Sequence, residues 1–506
     1  MTRTAPAEPV AEPGPRRVVH LELSSPGTAL DPDAAPDAAA PRTDEGPDLV
    51  ADDVYESARV IATWHGRPVG DLDVRLTRDP ADARAALAPL RELAAQAEAD
   101  GAARPPRTPD DLLPAVTVVV STIVGRREDL ELMLDGFARV DYPDVEFLIV
   151  DNRPVLPADD VLPGLVAGRD RVRAVHEPRK GISAGRNAGV AEARGEIVVF
   201  TDDDVRVEPD WLRELAQRFV DDPQVDAVTG LILPAELDTP AQIWFERYYG
   251  GFSGERAWGP LLLTPERARP ERARPERARP EQAQPEQAQP ERARPGRARA
   301  GLLDGARVRV TDRDGRTVRV LPVYGVGGYG AGANMAFRRT ALRRIGGFDL
   351  ALGTGTPARG GEDLAALIGV LWTGGRLAYE PAAVVHHRHR RGTDELLGQL
   401  RGNGLGMTAM LSSLVLNQPR HVLGLARLLP PALVAMASTS VSRIAGGADR
   451  DDAPRPAGLV DAYPRSLLLS ELSGYPRGPL AYLRSRRLAR ADSWVAPDQG
   501  PSWPTR

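Results

Sequence analysis

An unbroken β-branched run, VTVVVSTI at residues 116–123, narrows the choice of fold more than any other feature of this chain. Apolar residues that do not alternate with polar ones describe a strand buried on both faces, as in a parallel sheet covered by helices on each side. The segments downstream of it keep the same rhythm. REDLELMLDGFARV (127–140) has helical spacing, VEFLIVD (145–151) reads as a second strand and VRAVHE (172–177) as a third. ISAGRNAGVAEARG (182–195) is a helix, and EIVVFTDDD (196–204) is a fourth strand that ends in acid. Strands alternating with helices predict a three-layer α/β domain. Such sheets take ligands at the carboxyl ends of their strands, and the most heavily charged end is Asp202-Asp203-Asp204.

The rest of the 506 residues is organised around that domain. Residues 1–50 are dominated by Pro, Ala, Asp and Glu and are expected to be disordered. Residues 51–101 form a small accessory α/β unit, with two strands about Gly66-Arg67-Pro68 and a helical stretch from Pro80 to Ala99, and 102–114 are a linker. The catalytic domain is expected over 115–393, interrupted at 264–300 by a low-complexity insertion. There a pentapeptide recurs six times between Glu266 and Pro295, with a proline every fifth residue that forbids a continuous helix. A hairpin about Asp314-Gly315 comes after it. Residues 394–445 read as helical, and 446–506 as a Pro/Arg-rich tail with one apolar stretch, Ser466 to Leu472.

Composition excludes several function classes. The absence of cysteine removes disulfides, thiolate metal sites and a cysteine nucleophile. A net charge of −5 supplies no global basic field for nucleic acid. The N-terminus lacks the apolar core of a signal peptide, and no stretch reaches the ~18–20 apolar residues of a membrane span. The expected setting is cytoplasmic, or peripheral on the inner face of the membrane through the C-terminal helices and the basic LRSRRLAR segment. A plain solvated basic surface is the other reading of that segment.

Three consecutive acids after a buried strand repel one another, and no Lys or Arg adjoins them before Arg206. A divalent cation answers that need, and oxygen ligands suit Mg²⁺ or Mn²⁺. A helix N-cap is the alternative, since PDWLRELAQRF begins at Pro209. Glu362-Asp363 sits after a Gly-rich turn and opens the apolar helical run LAALIGVLW; a helix cap is again the plain alternative to a catalytic role. Of the three histidines closing the strand AAVVHHRHR, His387 and His389 share a face and His386 points the other way.

Residues 115–391 resemble the inverting family 2 glycosyltransferases with the GT-A fold. The resemblance rests on VTVVVST, IVDN (149–152), KGISAGRNAGV (180–190), VVFTDDDV (198–205), GANMAFRR (332–339), GGFD (346–349) and GGEDL (360–364). It implies an α/β fold with a Rossmann-like, mixed, mostly parallel sheet flanked by helices. It also implies transfer of a sugar, with inversion, from a UDP- or dTDP-type nucleotide to a hydroxyl on a glycan, lipid-linked or small-molecule acceptor. By that resemblance Asp363 is the base, beside Glu362. Asp202, Asp204 and a late histidine, His387 ahead of His389, hold Mn²⁺ or Mg²⁺. Asp151, Lys180, Arg186, Asp202, Asp203, Gly332 and Asn334 line the nucleotide-sugar site. Arg186 is expected at a helix start with outward N–H groups suited to phosphate. Asp151 reads equally as a turn residue, and Lys180 as an ordinary loop lysine.

Other readings remain. A nucleotidyltransferase would use the same kind of sheet with a Gly-rich basic loop after its first strand, where Gly125, Arg126 and Arg127 stand. An inactive sugar-nucleotide-binding scaffold would keep the fold without turnover. Gly325, Gly327 and Gly330 formally spell a dinucleotide fingerprint, although they lie far from an opening βαβ unit. The aromatic residues Trp244, Phe245, Tyr248, Tyr249, Phe252 and Trp258 serve either as an acceptor platform or as core.

Overall fold

The computed structural model describes residues 13–23, 51, 54–77, 79, 82, 85–99, 107–252, 256–266, 306–427 and 463–491. Near the N-terminus, β1 (Arg16–Glu22), β2 (Ser57–Trp64) and β3 (Arg67–Arg75) form a sheet in that order, the first pair parallel and the second antiparallel. The β2–β3 turn runs through His65 and Gly66, both at positive φ. Helix α1 (Ala88–Ala99) covers this sheet, with Leu87 and Leu90 packed among Val60, Leu72 and Val74.

The expectation of disorder over 1–50 is corrected at β1. Composition averaged over fifty residues conceals one segment that has a partner waiting: β2 takes up its backbone groups, Leu21 is buried, and Arg16 is neutralised by Asp73 at 2.7 Å. The rest of that expectation, 1–12 and 24–50, lies outside the described residues.

This small sheet is fastened to the larger one. Ile61 packs against Leu231, Leu233 and Val384, the Arg16 N–H donates to the Leu237 carbonyl at 2.9 Å, and Arg67 pairs with Glu380 at 2.8 Å. A chain of ion pairs also crosses the junction. Asp73 meets Arg59 at 3.2 Å, Arg59 meets Asp71 at 3.3 Å, Asp71 meets Arg256 at 3.0 Å, and Arg256 pairs with Glu246.

The large sheet comprises β4 (Val116–Thr122), β5 (Val145–Asp151), β6 (Val172–His176), β7 (Ile197–Thr201), β8 (Val205–Val207), β9 (Val225–Pro234), β10 (Leu261–Pro265), β11 (Arg307–Thr311), β12 (Thr317–Pro322), β13 (Met335–Arg338) and β14 (Arg376–His387). Their order is 12-11-10-14-9-13-7-4-5-6, with β8 paired to β14. Strands 7-4-5-6 are parallel, as are 9 and 14. β13 enters antiparallel between β7 and β9, so the sheet is mixed. β10, β11 and β12 form an antiparallel meander at the edge, with Pro265 in register with Val308. The pentapeptide repeat stands between β10 and β11 in the sequence and, beyond Glu266, lies outside the described residues.

Both faces of the sheet are covered. Val119, Val198 and Phe200 turn toward α4 (Ile182–Glu192) and α8 (Glu362–Trp372). Val118, Val120 and Val199 turn toward α2 (Arg127–Ala138) and α5 (Trp211–Asp221). Short helices α3 (Leu162–Val166), α6 (Pro240–Trp244) and α7 (Arg339–Ile345) complete this domain.

Beyond it, α9 (Thr393–Asn417) carries two further helices, α10 (Arg465–Gly474) and α11 (Gly478–Ala491). The tail expected over 446–506 is therefore corrected at 465–491. Leucine recurs there among the arginines, and small residues allow close packing: a Cβ on Gly404 would lie 2.2 Å from the Glu471 carbonyl, and Leu467 and Tyr482 are fully buried. Residues 428–462 and 492–506 are outside the described set, including part of the helical stretch expected over 394–445.

Candidate active site

β7 ends at Thr201 and delivers Asp202, Asp203 and Asp204 directly into β8, whose antiparallel pairing with β14 sets His387 opposite Val205. The Arg388 N–H donates to the Asp204 carbonyl at 3.1 Å and fixes that register. As a result His387 Nε2 lies 3.3 Å from Asp204 Oδ1 and 3.7 Å from Asp202 Oδ2. One ligand atom from each of Asp202, Asp204 and His387 falls within 4.8 Å of the others. Two carboxylate oxygens and one imidazole nitrogen fit a divalent ion such as Mn²⁺ or Mg²⁺. Phe252 backs the His387 ring at 4.4 Å.

Burial pushes the Asp202 carboxyl up, but His387, Arg186 and Arg390 outweigh it and hold it below the usual carboxylate range. His387 is pulled down by burial and up by Asp204 and Asp202, and the acids prevail. Asp203 behaves differently. Burial and its two acidic neighbours raise it to about 6, against the bond it accepts from Thr122 Oγ1 at 2.5 Å.

A second acidic pair opens α8. Gly361 caps this helix in the left-handed region, at φ 86°, which turns Glu362 and Asp363 toward the sheet. Asp363 accepts the Gly332 N–H on Oδ2 and the Leu364 N–H on Oδ1, both at 2.8 Å, so its orientation is set from the backbone. Arg186 joins the two acidic groups. Its guanidinium donates to Glu362 Oε1 at 2.9 Å, to the Gly332 carbonyl at 3.2 Å and to Asp202 Oδ1 at 3.5 Å. It is 3% exposed and lies near the Phe200 and Phe348 rings. A Cβ at Gly332 would sit 2.5 Å from the Arg186 guanidinium and push it aside. Burial and the charge of Asp363 raise Glu362 to about 7, and Arg186 opposes them.

The expectation for Arg186 is therefore corrected in manner. Its side chain points inward, committed to carboxylates, while the Ile182 N–H at the helix start donates to the Thr354 carbonyl at 3.0 Å. Asn334 lies elsewhere: fully buried, it bonds the Leu231 and Ala383 carbonyls and accepts from Trp211 Nε1, so it ties strands together rather than facing a ligand. Asp151, at the end of β5, is buried and accepts from Arg153 Nε at 2.8 Å. The neighbouring Asn152 holds the loop before α4 by accepting from the Gly181 N–H. Lys180 is exposed on that loop.

His386 turns away to Glu208 at 2.7 Å and to His20. His389 is buried against Glu246 at 2.8 Å, its ring 5.9 Å from that of His387, so it stands behind the candidate metal ligand. Glu246 is the residue reached by the ion-pair chain from the N-terminal sheet. The aromatic-platform reading is corrected for three of its six members: Trp244, Phe245 and Tyr248 are 2–4% exposed and pack with α9 and α10, whereas Phe252 meets the site. Gly325 and Gly327 belong to a 3₁₀ turn, Val323–Tyr329, and not to a strand–helix junction.

Three further contributors come from outside Asp202–Asp204, and of them Arg390 stands in the basic run, Arg388 to Arg391, beside the histidines. Arg126 reaches Asp204 at 2.9 Å from the loop after β4, Thr122 meets Asp203, and Arg390 approaches Asp204 at 4.0 Å. Cations absent from the neighbourhood of Asp202–Asp204 in sequence are thus supplied across strands. Arg388 and Arg391 are engaged elsewhere, with Asp129, Glu236 and Asp238.

Known proteins share parts of this architecture. The chain is 27% identical over 135 residues to glucosyl-dolichyl phosphate glucuronosyltransferase of Haloferax volcanii, a match covering 26% of this chain and 43% of that protein. It is 24% identical over 117 residues to the uncharacterized glycosyltransferase EpsJ of Bacillus subtilis, covering 23% and 33%. The chain thus spans less than half the length of these curated relatives. Among solved structures, mannosyltransferase PcManGT from Pyrobaculum calidifontis, in complex with GDP-Man and Mn²⁺, aligns with a TM-score of 0.38 and 18% identity, covering 79% of this chain and 93% of that one. Residues 117–269 match the sequence profile described as glycosyl transferase family 2, and they include most of β4, all of β5 through β7 and the Asp202–Asp204 cluster. The chain carries a glycosyl transferase family 2 domain.

Proposed function

We propose that this protein transfers a sugar from a nucleotide diphosphate, of UDP or dTDP type, to an acceptor hydroxyl with inversion and with a divalent metal. The observation that carries this reading is the pairing of two acidic groups across one buried arginine. Asp202, Asp204 and His387 converge on one side of Arg186, and Glu362 and Asp363 on the other. The first group is a metal-ligand set, the second contains a base, and direct displacement needs both within reach of one anomeric carbon.

Asp202, Asp204 and His387 would hold Mn²⁺ or Mg²⁺, which supplies neutralisation of diphosphate charge as the leaving group departs. Arg126 and Arg390 border the same oxygens and would meet the diphosphate itself. The nucleotide base would lie against Asp151, whose carboxylate Arg153 already orients. Asp363, held by two N–H donors, keeps lone pairs free to take the proton of the attacking hydroxyl. Arg186 keeps Glu362 and Asp202 from repelling one another across that space.

Donor hydrolysis tests the reading. Purified protein is mixed with a panel of nucleotide sugars, with and without Mn²⁺ or Mg²⁺, and released nucleoside diphosphate is measured. Metal-dependent release from one donor, lost in Asp204→Ala, is the expected result. Pyrophosphate as product would transfer the chain to the nucleotidyltransferases. Silence across the panel together with no donor heat in calorimetry would overturn the assignment.

A further inference from the structure

The described residues contain no helix long and apolar enough to cross a membrane, but α11 has the makings of one that lies on a membrane surface. Its inner face is packed: Gly478, Tyr482 and Ser485 are buried, and the Tyr482 hydroxyl donates to Asp349 at 2.9 Å. The outer face carries Leu480, Leu483 and Leu488, respectively 73%, 43% and 48% exposed, interleaved with exposed Arg484 and Arg487. Positions 480, 483, 484, 487 and 488 fall on one stripe of the helix. Between Ser473 and Ala491 the chain has five arginines and no acidic residue.

The contrast with other arginines is informative. Arg388 and Arg391 are neutralised by carboxylates, whereas Arg484 and Arg487 enter no ion pair among the described residues. Water alone would favour a polar surface here, and a soluble acidic partner would not call for three bared leucines. Apolar side chains projecting among unneutralised cations match the interface of an anionic bilayer, where leucines enter the acyl boundary and arginines meet phosphate headgroups.

We propose that the outer face of α11 docks the protein onto an anionic lipid surface. The geometry connects that surface with the acidic pair at α8. On one side of α9, Gly404 contacts α10 at Glu471 and Thr408 contacts α11 at Gly478; on the other side Gly406 touches Gly360, two residues before Glu362. Helix α9 lies between the docking face and the Asp363 turn. A docked molecule would therefore hold Asp363 at a fixed position relative to the bilayer, as a lipid-linked acceptor requires. The presentation of an acceptor rests on the transfer activity proposed above, and the docking itself does not.

The test is co-sedimentation of the full chain with vesicles of phosphatidylcholine, with and without phosphatidylglycerol. Binding to the anionic vesicles alone, weakened by salt, is expected. Each neutralised arginine should lower partitioning about five-fold, so Arg484→Gln/Arg487→Gln should lose about 25-fold. Leu480→Ser/Leu483→Ser should also weaken binding to vesicles, and it should not alter circular dichroism, because both side chains face outward. Donor hydrolysis in solution should be unchanged in both variants, which separates a docking defect from failure of the transfer reading. No binding to either vesicle, or binding indifferent to the leucines and equalled by soluble polyglutamate, would overturn the proposal.

Discussion

Asp202, after β7, and Glu362, opening α8, flank the same arginine, yet the fold treats them in opposite ways. Asp202 is held below the usual carboxylate range by His387, Arg186 and Arg390 in spite of its burial. Glu362 is held above it by burial and by Asp363, against the pull of Arg186. Asp202 is kept charged and ready for a cation; Glu362 retains affinity for protons. Two carboxylate environments pushed apart are what separate a ligand from an acid–base group, and sequence acidity by itself does not distinguish them.

The sharpest way to break that comparison is at the proposed base. Asp363→Asn should lower transfer about 10²–10⁴-fold while donor affinity, read by calorimetry, stays near wild type. Asp204→Ala should strike the other side: metal affinity falls, and donor release drops about 100-fold or more, measured as a Mn²⁺ titration. If the two variants behaved alike in calorimetry, the division of labour would be wrong. Arg186→Ala removes the bridge and leaves buried Glu362 without its cation, so urea unfolding should show a loss of about 3–5 kcal/mol. Glu362→Gln in that background should return part of it.

Glu362 itself gives a smaller effect with a definite sign. A carboxyl whose folded pKa is raised binds more protons when folded. Its contribution is therefore fully present below the ordinary value of 4.5 and is lost as pH rises through about 7. Unfolding midpoints of wild type should decline across that window relative to Glu362→Gln. Smallest of all, Arg390→Ala, 4.0 Å from Asp204, should raise the donor KM a few-fold and leave kcat almost intact, since a half-exposed cation at that distance is largely screened.

Much of the central fold is legible in the residues. The β-branched runs at 116–123 and 196–201 need no tertiary information to be read as buried strands, and the acids at 202–204 come from chain order. The convergence of His387 with them is less visible: the alternation of strand faces limits the choice among three histidines, but only the β8–β14 register brings the ring to Asp204. The approach of Arg126 and Thr122 to these acids is invisible in sequence, because it depends on β4 lying beside β7. Arg186 is legible for the wrong reason. Its Gly/Ala-rich surroundings suggest an open helix start, whereas those small residues let α4 press onto the sheet: a Cβ on Gly185 or Gly189 would strike Ser121 or Val119. β1 and α11 disappear under averaging, since a short element that owes its order to a distant partner barely alters the composition around it.

The hairpin at the sheet edge has a bearing on how this chain can vary. β10 and β11 are locked in antiparallel register beside β14, so whatever separates Glu266 from Arg307 begins and ends at two neighbouring points on one rim. By polymer statistics, lengthening a connection of about forty residues by five adds only about 0.1 kcal/mol of closure entropy. Copies of the pentapeptide can therefore be gained or lost by slippage during replication almost without cost to stability, and the candidate catalytic carboxylates, on other elements, would not register the change. Repeat number should drift between isolates as a near-neutral trait and serve better as a marker of lineage than of activity.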